Sequence, residues 1–122
     1  MTKGAALHTF FSSFGLDAYT SSSVPEDVIL PYLTYDFVSD SFDREVPINV
    51  NLWFLTESEA IPNAKAQEIA DYIGLGGRVV LYDGGAVWIK RGSPWCQSLH
   101  DDTAPQIKRR YLNITLEYLS EN

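Results

Sequence analysis

The side chains best suited to chemistry lie in one stretch: Cys96, His100, Asp101 and Asp102 fall within seven residues and supply a nucleophile, a base and orienting carboxylates. Working triads are assembled in space from separate elements, and a single loop seldom supplies every member. A reactive thiol also needs a cationic neighbour or a helix N-terminus to lower its pKa, and nothing in the sequence indicates either for Cys96. As metal ligands the same residues lack the second Cys or His pair that a closed tetrahedral site needs. The stretch therefore reads as a loop with a packed Trp95, and the chain as one with no catalytic residue, metal or cofactor. Gly74-x-Gly76-Gly77 precedes a strand, and no Gly-Lys-Ser/Thr follows it, so it reads as a helix cap and turn and not as a phosphate loop. Lys108-Arg109-Arg110 is a basic cluster at a strand start. In a chain of net charge −7 three cations make a poor nucleic-acid footprint, which leaves a subunit contact as their functional reading.

The elements that carry these residues follow from spacing. Thr2 caps a first helix in which Leu7, Phe10, Phe11 and Phe14 make one apolar stripe, and Gly15 ends it. Residues 19–27 are serine-rich and without period, and read as a loop. Residues 31–38 and 47–55 then alternate, with Leu33, Tyr35 and Phe37 on one face and Ile48, Val50, Leu52 and Phe54 sharing a face in the second run. An antiparallel pair results, joined by a charged segment bearing Asp40, Asp43, Arg44 and Glu45. Two residues suffice to reverse a chain, so the longer connection suggests a projecting contact loop. Trp53 points away from Phe54, which implies cover on both sides of that strand or an outer face that meets another subunit.

Thr56-Glu57-Ser58-Glu59 matches a capping box, and residues 62–73 form a helix with Ala66, Ile69, Ala70 and Ile73 buried and Lys65 spaced to meet Glu68. Asp83-Gly84 makes a hairpin between residues 78–82 and 86–91. Residues 92–105 read as a long irregular link, and residues 107–119 as the clearest strand. The order is α–β–β–α–β–β–β: one α+β domain over residues 1–122, a mostly antiparallel sheet of about five strands with two helices packed against it.

Composition narrows the functional class. The chain has 122 residues, enough for a single core, and 45% apolar content, which rules out a wholly disordered polymer. The single cysteine excludes an intrachain disulfide and fits a reducing compartment. No apolar run approaches the ~18 residues of a membrane span, and the first residues lack the apolar core of a secretory signal. Charge is unevenly placed: residues 1–71 hold three basic and eleven acidic side chains, net −8, while residues 72–122 hold six and five, net +1. Such polarity suits head-to-tail self-association.

Across most of its length the chain resembles the small tail-completion proteins of long-tailed bacteriophages of Gram-positive hosts, the tail terminators. The resemblance is carried by Leu30-Pro31-Tyr32-Leu33-Thr34-Tyr35, Val50-Asn51-Leu52-Trp53, the helix to Ile73-Gly74, Val87-Trp88-Ile89-Lys90-Arg91-Gly92 and Arg109-Arg110-Tyr111-Leu112-Asn113-Ile114. It implies a protomer that assembles as a ring, expected to be a hexamer, on the head-proximal end of the tail tube in the virion after synthesis in the host cytoplasm. Its partners are then copies of itself, the major tail tube protein and a head-completion or connector protein, with no membrane, and with DNA only as passing cargo. A head–tail joining protein is the alternative within that class, and a small protein-binding regulatory module the alternative outside it. The expected contact residues are Asp40, Asp43, Arg44, Glu45, Trp53, Trp95, Lys108, Arg109 and Arg110.

Overall fold

The computed structural model describes residues 1–38, 44–101 and 104–119. The order is α1 (Lys3–Ser12), β1 (Asp17–Thr20), β2 (Tyr32–Tyr35), β3 (Arg44–Leu55), α2 (Ala60–Ile73), β4 (Arg78–Tyr82), β5 (Gly85–Asp101) and β6 (Ala104–Tyr118). The strands form one six-stranded sheet in the order β1-β2-β3-β6-β5-β4. It is mixed, because β1 runs parallel to β2 while every other neighbouring pair is antiparallel. The sheet curls into a half-barrel, and about half the chain is strand.

The expected α+β layer of about five strands is therefore corrected to a mostly β fold with the order α–β–β–β–α–β–β–β. Two elements account for the difference. The second half of β1 falls in the stretch 19–27 expected to be loop; Ala18 buries on the core side while Tyr19 meets Tyr32 edge-on, and four residues are too few to show a period. The other is the segment expected as an irregular link, which continues β5 through a break in register between Arg91 and Cys96. Gly92 lies at that break, where a Cβ would come within 2.9 Å of the Asn113 backbone oxygen, so only glycine lets β5 approach β6 there. Pro94 sits in the bulged segment, outside the paired ladder, where its missing N–H costs nothing.

Part of the local chemistry is realised as read, although Phe14 lies beyond the end of α1, and Phe37 lies beyond β2 and is exposed. Thr2 accepts the Ala5 N–H at 3.2 Å to cap α1, and Leu7, Phe10 and Phe11 bury together. α1 stops earlier than expected, at Ser12 with Ser13 as its C-cap, and Gly15, at φ +79°, turns the chain into β1. The Asp83-Gly84 turn joins β4 to β5 with Gly84 at φ +89°. On β6, Leu112, Ile114, Leu116 and Tyr118 bury while the intervening residues stay half-exposed. Pro47 falls inside β3 instead of beginning it, in a part of the strand that β2 does not reach, so no ladder bond is lost on that side.

Both helices fill the inner side of the curl. α2 crosses β3, β5 and β6, whereas α1 touches the two edge strands, β1 and β4. Phe10 of α1 and Phe14 just after it meet Tyr72 of α2, and Lys65 of α2 donates to the Phe14 carbonyl at 2.7 Å as well as pairing with Glu68. The start of α2 differs from the capping-box expectation, whereas its stop at Gly74 is as expected. Glu59 is the N-cap of α2 without a side-chain cap bond, because its carboxylate reaches Arg110 instead. Thr56 Oγ1 accepts the Ser58 N–H and Ser58 Oγ accepts the Ala60 N–H, so two short turns lead into the helix.

Candidate interaction surface

The uncovered outer face of the half-barrel is built by alternation on β2, β3 and β6. Register sets Tyr32 beside Trp53 and Trp53 beside Arg109, one row across three strands. Tyr32 and Trp53 stack with ring centres 5.9 Å apart and planes 15° apart, and the Arg109 guanidinium carbon lies 4.8 Å from the indole centre. Trp53 Nε1 donates to Thr34 at 3.4 Å, and Arg109 Nε donates to Asn51 Oδ1 at 2.8 Å. Trp53 and Arg109 are thus engaged with each other and with their own sheet, and their half-buried state needs no second molecule.

Arg110 departs furthest from expectation. It is only 2% exposed, on the core side of β6, with Nη2 donating to Glu59 Oε1 at 2.8 Å, Nε to Asn63 Oδ1 at 2.9 Å and Nη1 to the Arg109 carbonyl. The Lys108-Arg109-Arg110 cluster does not form one basic patch: Arg109 is on the outer face, Arg110 ties the start of α2 to the sheet, and Lys108 is half-buried and engaged. Arg110 cannot contact a partner subunit without losing that tie.

Of the loop residues, Arg44 is exposed at the start of β3, and Glu45 binds Lys90 at 2.6 Å, a cation that also reaches Glu117 at 3.4 Å. Lys90 sits 4.3 Å from the Trp88 ring, and its hydrogen bond to Glu45 above all raises its pKa. Asp40 and Asp43 lie outside the described residues. Trp95 is half-buried against the core, and its indole nitrogen has no partner among the described residues. Cys96 beside it is half-buried; burial pushes its thiol up, against a smaller downward pull from Arg110, so the thiolate a nucleophile needs is disfavoured. Among the described residues no group of three or more His, Cys, Asp or Glu side chains could hold a metal ion.

The surface that sequence reasoning missed is the β4 edge. Val79 and Leu81 point outward and are 54% and 74% exposed, and Leu75 in the turn before them is 97% exposed. The sequence did carry the signal: Val79-Val80-Leu81 is apolar on both faces, which a strand covered on one side does not require. Arg78 leads into this edge, its guanidinium carbon 3.9 Å from the Tyr72 ring and its Nε bonded to the Tyr72 carbonyl. Asp83 at the far end is neutralised by the Met1 amine at 2.6 Å. The opposite edge has different chemistry: Asp17 on β1 is exposed, and so are Glu26 and Asp27 in the following loop.

No family model matches the chain, and no curated protein matches it.

Proposed function

We propose that this chain is a virion assembly protein of the tail-terminator type, which forms a ring on the head-proximal end of a phage tail tube, stops tube growth and presents a surface for head attachment. The observation that carries the reading is the pair of unlike flanks. A ring is built from heterologous contacts, so each subunit needs two different patches that complement each other. Here one edge of the sheet is apolar with a leading arginine, and the other bears carboxylates. Acidic residues dominate the N-terminal half of the chain, which forms the β1-β2-β3 side of the sheet, and this supports the same polarity. The sequence resemblance supplies the tail as the place of assembly. Deleting the gene from the phage or prophage that carries it tests the reading: overlong tails support it, and tails of normal length and normal attachment refute it.

A further inference from the structure

Two carboxylates face each other at one end of the outer face. Register sets Glu45 of β3 directly opposite Glu117 of β6, with Trp88 of β5 on the far side of Glu117. Asn49 turns both its N–H and its carbonyl toward Asp36, away from β6, and by alternation so does Glu45. Glu45 and Glu117 are therefore a pair of the closer, non-hydrogen-bonded kind, in which like charges work against the joining of their strands. Lys90 answers this repulsion. From its place opposite Thr115 on β5 its ammonium reaches Glu45 at 2.6 Å and Glu117 at 3.4 Å, and the Glu117 side chain is only 18% exposed. The Trp88 ring, 4.3 Å from the Lys90 nitrogen, lines its path.

The strand end beneath this cluster is held from one side. β2 pairs with β3 over residues 50–53 alone, so among the described strands β6 is the single neighbour of residues 44–48. Arg44 and Glu45 are exposed and put no side chain into the core, whereas Ile48, 2% exposed, is fixed by packing. An end of this kind opens locally without the rest of its sheet.

We infer that Lys90 is an electrostatic latch: it reaches across β6 to keep the start of β3 on the sheet, and screening or removing its charge lets residues 44–46 lift away while the rest of the sheet stays closed. Arg44 and Glu45 are among the expected contact residues, so the latch sets whether they are fixed to the sheet or free to meet a partner. It belongs to the single subunit and stands whether or not a ring forms.

Amide hydrogen exchange, followed residue by residue by NMR, tests this. The amides of Arg44 and Val46 point at β6 by the same alternation, and Leu52 in the middle of β3 is the internal control. In Lys90→Gln the Arg44 and Val46 amides should exchange about fivefold faster while Leu52 is unchanged. Adding Glu117→Gln removes one of the facing charges and should return them to near the parent rate, and Lys90→Arg should stay near the parent throughout. Raising the salt to about 1 M, where charges are screened beyond about 3 Å, should speed exchange at these two amides in the parent. In Lys90→Gln the same salt should slow it, because repulsion alone is left to screen. Equal exchange in the parent and Lys90→Gln would overturn the latch. So would a rise at Leu52 as large as at Val46, which would make Lys90 a general stabiliser, or a Glu117→Gln change that restores nothing.

Discussion

Removing the carboxylate of Glu59 should destabilise the domain more than removing the buried cation it serves. The Arg110 guanidinium is 2% exposed and has one carboxylate partner among the described residues, Glu59 Oε1 at 2.8 Å, while the Glu59 side chain is itself 59% exposed. In Glu59→Ala the guanidinium stays buried without its anion. A hydrogen bond to a charged group contributes about 1.5–3 kcal/mol, and water admitted at the exposed side of the pair holds the loss near the lower part of that range, about 2 kcal/mol. For a chain of this size that is a melting shift of roughly 6–12 °C. Arg110→Met is gentler, about 1 kcal/mol or less, because Glu59 and Asn63 are both exposed and find water, and an apolar chain of similar length fills the site. Glu59→Ala in the Arg110→Met background should then cost about 2 kcal/mol less than it does in the parent, which is the coupling between the two side chains. Urea melts of the four proteins, followed by far-ultraviolet circular dichroism, measure it. A Glu59→Ala protein within about 0.5 kcal/mol of the parent, or an equal loss in both backgrounds, would refute the tie between α2 and β6.

Other outcomes follow from the same geometry. Ile114 is buried on the central strand β6, so Ile114→Asp should cost more than about 4 kcal/mol and abolish the cooperative thermal transition seen by circular dichroism. Gly92→Ala forces a Cβ against the Asn113 backbone and should lower stability by about 1–3 kcal/mol in urea melts without changing the m-value. Burial raises the Cys96 pKa, so the thiolate is scarce at neutral pH and the native protein should react with a disulfide reagent far more slowly than the urea-unfolded chain. Equal rates in the two states would show that Cys96 is not shielded.

Much of the fold was legible where local chemistry and tertiary context agree. The Leu7, Phe10 and Phe11 stripe of α1, the Asp83-Gly84 hairpin and the alternation of β6 all appear as read. What escaped was set by contacts distant in sequence. β1 is too short for a period and exists because β2 accepts it in parallel. The bulge after Arg91 erases the alternation of β5, so Gly92-Ser93-Pro94 resembles a loop although the strand resumes beyond it. Glu59 fits a capping box by pattern, but a buried guanidinium attracts its carboxylate more strongly than a backbone N–H does. Arg110 looked like an edge cation because nothing local shows that α2 folds over it. The proposed contact surface was half legible: charge asymmetry was readable, whereas the exposed side of β4 depends on which strand ends the sheet.

Growth of tail tubes from purified tube protein, with and without this chain, tests the central claim most directly when lengths are measured by negative-stain electron microscopy. Tubes that stop short with a ring of this protein at one end are the predicted result. An unchanged length distribution, with no added density at either end, would contradict it.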